Sequence, residues 1–239
     1  MLKNPVIILV SPQLGENIGA CARAMKNFGL NVLRIVSPRD GWPNKKACSA
    51  AVGAVDLIES AQIYDNLKDA VADLEFIYAT TCIARTMNKE YVLSKELHRN
   101  FNYKIKTGIL FGRENCGLTN KEITFANKII TIETDPNFAS LNIAQAVLVV
   151  CYEIFKSVTR PDLSNIQDLA TKEEIGFFYD HLLNMLDNAN FFKIYEKKEA
   201  MQRNILNIFS RIDKLSKSEV QTLRGIIKAL EPKVDNKPL

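Results

Sequence analysis

The sequence is poor in the residues that hold metal ions. It has two histidines, His98 and His181, and five scattered cysteines (Cys21, Cys48, Cys82, Cys116 and Cys151), with no C-x-x-C pair among them. A zinc site takes four such ligands at close spacing, so neither a metal centre nor a disulfide framework is expected. The thiols should behave as small, mostly buried apolar residues. No stretch approaches the roughly 18 consecutive apolar residues of a membrane span. Met1 to Pro5 lead straight into a short apolar run, unlike a signal peptide, which favours a cytoplasmic protein with no membrane partner. Phosphate-loop signatures are missing as well. No G-x-G-x-x-G follows the first apolar run and no G-x-x-x-x-G-K-[ST] occurs, which disfavours an α/β enzyme of the dinucleotide or P-loop kind.

What remains is the composition of an ordinary globular protein, 47% hydrophobic and 24% charged over 239 residues. The net charge of +4 suits an RNA partner without requiring one. Residues 1–158 alternate apolar runs with amphipathic stretches, the pattern of a parallel sheet flanked by helices. Strands are predicted at 6–10, 32–36, 76–79, 109–111 and 129–132, where the near-continuous apolar content suits burial on both faces. A first helix is expected from Asn17 to Phe28, stopping at Gly29. A second follows Asp65 as its cap, and another opens at Ser140. Thr119-Asn120-Lys121-Glu122 has capping-box spacing. The pattern changes near Pro161. Residues 159–170 read as a linker and 171–239 as a small all-helical domain, with capping boxes at Thr171–Glu174 and Ser216–Glu219. Its apolar sets are Ile175, Phe178, Leu182, Met185 and Leu186, then Val220, Leu223, Ile227 and Leu230, with a third helix containing Met201, Ile205, Ile208 and Phe209.

Ligands of open parallel sheets bind beyond the carboxyl ends of the strands, and three unusual segments fall there. Ser11 to Gly19 leads into the helix that carries Arg23; Asn17 is a possible cap, and Gly19, Ala20 and Ala22 keep the first turns thin. Arg23 among small neighbours is a poor packing choice but a good phosphate fork, unless it simply pairs with a nearby acid. Phe111 to Thr119 places Gly112 and Gly117 just after a strand, where the backbone can turn tightly against a ligand, and Glu114 stands beside Arg113, its possible ion-pair partner. Asp135 to Asn142 has Pro136 for an extended entry, Ser140 as a cap, and in Asn142 an amide that the helix does not itself require.

Taken together the motifs are specific. Asn17 to Arg23, Phe111 to Leu118 and Ser140 to Ala146 resemble N-I-G-x-x-x-R, F-G-x-E-x-x-G-L and S-L-N-x-x-x-A of the SpoU (TrmH-like) branch of the SPOUT RNA methyltransferases. Residues 170–174 and 223–227 resemble the C-terminal extension of the TrmJ type, which methylates tRNA. The resemblance implies an α/β SPOUT domain with a deep trefoil knot near the third motif, followed by the helical domain. It implies S-adenosylmethionine as cofactor, held by Thr80, Thr81, Cys82, Leu110, Gly112, Ile132, Ala139, Ser140 and Leu141. It implies a homodimer, tRNA as partner, and Asn17, Arg23, Glu114, Ser140 and Asn142 as the polar active-site residues. The reaction it implies is methylation of a ribose 2′-hydroxyl, at nucleotide 32 (cytidine or uridine) of the anticodon loop.

In the family the counterpart of Arg23 is held to activate the hydroxyl. A guanidinium is a poor general base, so a phosphate clamp that also stabilises alkoxide charge is the better expectation, with the proton leaving through Glu114, Ser140 or water. Lys193, Lys197, Lys198 and Arg203 form a candidate tRNA-docking patch, or else an ordinary solvated helix face. Two other readings stay open from the residues: a ribosomal RNA methyltransferase of the same family, and an RNA-binding homologue without turnover.

Overall fold

The computed structural model describes residues 4–82, 88–156, 168–212 and 215–230. The linker expected at 159–170 lies outside the described residues except for its last three.

The sheet has seven strands, β1 (Val6–Val10), β2 (Val32–Val36), β3 (Gln62–Tyr64), β4 (Phe76–Thr80), β5 (Glu90–Leu93), β6 (Thr107–Phe111) and β7 (Lys128–Thr131), in the order β3-β2-β1-β6-β4-β7-β5. Every pairing is parallel. The central strands are mostly apolar because both faces are covered, and β1 is apolar throughout. Ile7, Leu9, Ile109 and Phe111 point into one core, while Val6, Ile8, Val10 and Leu110 point into the other. β3 and β5 are edge strands and lack such runs. Gln62 and Ile63 of β3 and Glu90 and Tyr91 of β5 are exposed, which is why apolar content alone does not reveal them.

Ten helices accompany the strands in the described residues: α1 (Gly15–Asn27), α2 (Lys45–Ala50), α3 (Val55–Glu59), α4 (Leu67–Val71), α5 (Leu97–Asn100), α6 (Asn120–Ile123), α7 (Ile143–Phe155), α8 (Lys172–Asn188), α9 (Tyr195–Ser210) and α10 (Lys217–Ala229). Capping boxes occur where their spacing predicts, at the starts of α6, α8 and α10, and Gly29 takes a left-handed φ of 72° after α1. Three other caps differ from expectation. α1 starts two residues before Asn17, which leaves Asn17 inside the first turn. α4 is capped by Asn66, whose carbonyl accepts from the Asp69 N–H, and not by Asp65. α7 starts after Asn142, not at Ser140; the Asn142 side chain accepts from the Ala144 N–H, and the Gln145 side chain accepts from the Asn142 N–H. The Asn142 amide is therefore part of the helix start.

Small residues in α1 serve a neighbouring helix. A Cβ on Gly19 would lie 2.4 Å from the Ala47 carbonyl oxygen of α2, so that glycine lets two helices touch and offers no space to a substrate.

No strand follows α7 among the described residues. α8, α9 and α10 enclose their own core of Ile175, Phe178, Leu215, Val220 and Ile227, with Leu182, Met185, Phe209 and Leu223 packed against it, whereas Leu230 is exposed. This bundle is clipped to the sheet domain by backbone and side chain. The Lys172 and Glu173 N–H groups donate to the Leu74 and Ala72 carbonyls at 2.7 and 2.8 Å. Buried Lys89 bridges the Ala126 carbonyl and the Ser210 hydroxyl, both at 2.6 Å. Residues 168–170 pair with 215–217 and hold the starts of α8 and α10 side by side.

Two glycines should respond to alanine with opposite signs. Gly19→Ala forces α1 and α2 apart and should cost about 1–3 kcal/mol, read as a melting temperature several degrees lower in scanning calorimetry. Gly225→Ala on exposed α10, where an added Cβ meets nothing, should gain about 0.5–1 kcal/mol. Equal effects from the two would contradict this packing.

Candidate active site

The loops after β4, β6 and β7 surround a pocket of about 380 Å³, within the size range of small-molecule and cofactor sites. Its walls are Thr80, Thr81 and Cys82, then Phe111 to Gly117, then Ile130, Ile132, Ala139, Ser140, Leu141, Ile143 and Ala146. Eight of the nine positions expected to hold cofactor line it. Leu110 does not: its side chain is fully buried in the core, and its carbonyl accepts from the Thr80 hydroxyl at 2.9 Å. Phe111, Arg113, Asn115, Cys116, Gly117, Ile130, Ile143 and Ala146 also line the pocket and were not anticipated. For most of them the signal was at hand, since they sit beside anticipated residues in the same loops.

The loop after β6 is very tight. A Cβ on Gly112 would lie 2.2 Å from the backbone of Gly117 and Leu118, and Gly117 has φ 67°. The Gly117 N–H donates to the Arg113 carbonyl at 2.9 Å. This geometry lets backbone approach and line the pocket.

Arg113 does not pair with Glu114. Its guanidinium forks onto Glu122 of α6 at 2.9 and 3.0 Å and reaches the Ser11 hydroxyl at 3.2 Å. Burial would raise the Glu122 carboxyl, but Arg113 and the Thr119 N–H outweigh it and hold that group below the usual glutamate range.

Glu114 is thereby left to turn towards β1. Its carboxylate accepts from the Gln13 N–H at 2.9 Å, the Leu14 N–H at 3.3 Å and the Asn17 side-chain amide at 2.8 Å. The Asn17 carbonyl oxygen in turn accepts from the Asn142 amide at 3.1 Å. Asn17 is thus joined side chain to side chain to two segments that lie 97 and 125 residues further along the chain. Asn17 and Asn142 lie outside the pocket wall, next to it through Glu114 and Leu141. Ser140 lines the pocket and is exposed.

Arg23 stands on the exposed side of α1 and makes no hydrogen bond or ion pair with a described residue. In the bundle, Lys198 pairs with Asp187 at 2.6 Å and Arg203 with Glu199 at 3.8 Å, whereas Lys193 and Lys197 are exposed without an ion pair to a described residue. The cysteines divide. Cys21 and Cys151 are buried between α1 and α7, and burial pushes the Cys151 thiol up to about 12. Cys82 and Cys116 are exposed at the pocket, against the expectation of burial.

Comparison with known proteins decides the family. The profile described as the SpoU rRNA Methylase family matches residues 4–152. The chain belongs to that family. A second profile, described as the tRNA methyltransferase TrmJ C-terminal domain, matches residues 173–238. The chain is 32% identical to the tRNA (cytidine/uridine-2′-O-)-methyltransferase TrmJ of Photorhabdus laumondii, over 97% of this chain and 98% of that protein. It is 30% identical to the tRNA (cytidine/uridine/adenosine-2′-O-)-methyltransferase TrmJ of Pseudomonas aeruginosa, over 95% and 93%. Among solved structures, TrmJ from Z. mobilis ZM4 superposes with a TM-score of 0.86 at 39% identity, covering 95% of this chain and 99% of that one. The SPOUT methyltransferase fold and the TrmJ-type bundle are therefore both present.

The carboxylate of Glu114 should be worth more than its shape. Glu114→Gln replaces one acceptor oxygen with a donor that faces N–H groups, so the variant should lose about 1–3 kcal/mol in urea unfolding. Wild-type stability in that variant would show the three bonds to be incidental.

Proposed function

We propose that this chain transfers the methyl group of S-adenosylmethionine to a ribose 2′-hydroxyl of tRNA. The observation that carries this reading is the hydrogen-bonded chain Glu114–Asn17–Asn142, which ties the three motif segments together at the mouth of a cofactor-sized pocket. When bound there, S-adenosylmethionine supplies an electrophilic methyl carbon to the ribose oxygen. The backbone around Gly112 and the residues Thr80, Thr81, Cys82, Ile132, Ala139, Ser140 and Leu141 hold the cofactor, and Leu110 contributes through its carbonyl bond to Thr80.

The protein's work is positioning, because the cofactor brings the reactive group and the hydroxyl must approach in line to about 3 Å. Glu114 has its lone pairs engaged by three N–H donors and acts as a positioning residue. It orients Asn17 and, through it, Asn142. Arg23, unpaired among the described residues, clamps the phosphate beside the target ribose and stabilises charge that develops on its oxygen. The proton leaves through the Ser140 hydroxyl or water.

The finer assignments rest on the TrmJ likeness. The target is nucleotide 32 of the anticodon loop. Residues 1–158 form the methyltransferase domain, with its chain knotted near the third motif, and 171–239 form the tRNA-docking domain. Strand order supports the knot, since β6 inserts between β1 and β4, and β7 between β4 and β5. The working form is a homodimer: Leu148, Tyr152 and Phe155 leave an apolar stripe of α7 exposed beside α1. The cytoplasm, where tRNA resides, is the place of action. No described helix is long and apolar enough to cross a membrane. Mapping 2′-O-methylation on total tRNA and on ribosomal RNA tests the substrate class. Methylation confined to ribosomal RNA would overturn the tRNA reading.

Two sets of variants test the roles of the cations. Arg23→Ala should lower the single-turnover rate about 100-fold or more, the scale of losing one donor to developing negative charge. Arg23→Lys should recover only part of it, and full recovery would exclude a bidentate clamp. The pair Lys193→Ala with Lys197→Ala should weaken tRNA binding and flatten its salt dependence, the logarithmic slope falling by about 0.7–0.9 for each phosphate no longer neutralised. Cofactor affinity in calorimetry should stay unchanged.

A further inference from the structure

The turn between α8 and α9 combines features that the reaction does not use. α8 ends in a Schellman arrangement: Asn190 takes a left-handed φ of 54°, its N–H donates to the Asp187 carbonyl at 2.9 Å, and the Phe191 N–H donates to the Leu186 carbonyl at 2.9 Å. The Lys193 N–H then donates to the Phe191 carbonyl at 3.1 Å. The N–H groups of Asn190, Phe191 and Lys193 are therefore engaged within the turn. Yet it sends large rings into solvent. Tyr195 is 85% exposed, and Phe191 and Ile194 are also out in water.

The rings are set among charges of both signs, with Glu196 exposed next to Tyr195 and Glu199 paired with Arg203. Phe191 meets Phe192 edge-on at 5.4 Å, and the Lys198 ammonium lies 5.7 Å over the Phe192 ring while it holds Asp187. Lys193 and Lys197, on either side of Tyr195 in the chain, have no ion pair to a described residue.

We propose that Phe191 and Tyr195 form a stacking platform for unpaired nucleotides of the RNA substrate, with Lys193 and Lys197 on the flanking phosphates. The proposal deepens the tRNA reading above and rests on it. Charge decides between occupants. Apolar rings alone would serve a second copy of the chain equally well, but covering the ammonium groups of Lys193 and Lys197 with another basic protein carries a desolvation cost, and a polyanion offsets it. Exposed aromatics interleaved with lysines match what single strands need, a π-face for a base and a cation for the backbone. Duplex stems, whose bases are already stacked, gain only the lysine contacts.

The test uses the full chain, with binding measured by fluorescence anisotropy and without cofactor, so that it does not depend on turnover. Tyr195→Ala and Phe191→Ala should each weaken binding of a 12-nucleotide oligouridylate and of tRNA by about fivefold or more, while a 12-base-pair RNA duplex binds as before. Tyr195→Phe should keep wild-type affinity, because the ring is what stacks. Sedimentation and S-adenosylmethionine affinity should be unchanged in all three. Unaltered oligouridylate binding by Tyr195→Ala, an equal loss for duplex, or a shift in sedimentation would each overturn the platform, the last by making the patch a protein contact. A wild-type chain that binds oligouridylate in this way but methylates no tRNA would instead count against the enzymatic reading.

Discussion

The carboxylate of Glu114 holds the site together. It follows β6 in a loop so tight that Gly112 has no room for a Cβ, and it meets the start of α1, where it accepts from the Gln13 and Leu14 N–H groups. Leu14, the residue in the capping position, has no side chain that can accept. An acid from a segment 100 residues away accepts from the N–H of Leu14 itself. The same carboxylate fixes the Asn17 amide, whose oxygen then receives the Asn142 amide from the start of α7. Two helices and one loop thus share a single polar chain, and a shift in any member moves the others.

Arg113 makes this possible by pairing elsewhere. Its fork onto Glu122, already the closing residue of the α6 capping box, pins the far side of the loop to α6 and frees Glu114 to face β1. Adjacent residues of opposite charge thereby take different acidic and amide partners, although both reach the segment after β1, Arg113 at Ser11 and Glu114 at Gln13 and Leu14. One rigidifies the pocket wall while the other also holds Asn17. The proposed division of labour follows from this arrangement: backbone and small side chains hold a cofactor, and the exposed polar edge faces the nucleic acid.

The helical bundle adds a second contact surface at a defined place. Its attachment through Lys89, Lys172 and Glu173 uses buried or backbone hydrogen bonds to the loops before β4 and β7, so the bundle is fastened close to the strands whose far ends form the pocket. A substrate spanning both surfaces would be held at two points, which narrows the positions its ribose can take.

Much was legible in the sequence. Strands buried on both faces carry near-continuous apolar runs, so β1, β2, β4, β6 and β7 announced themselves, and capping boxes gave the starts of α6, α8 and α10 because both partners lie within four residues. Edge strands β3 and β5, half in water, carry no such signature. The three motif segments and their place at the strand ends were readable, as was about half of the pocket lining. What each polar residue touches was not. Asn17 was a possible cap of α1 and is instead a link within it; Ser140 was expected to open α7 and lines the pocket, while Asn142 does the capping; Arg113 was one possible partner for Glu114, which binds β1's loop instead. Local chemistry sets which residues can bond, and the sequence determined that much. Which partner arrives depends on segments some hundred residues apart meeting at one sheet edge, and only the tertiary structure decided it.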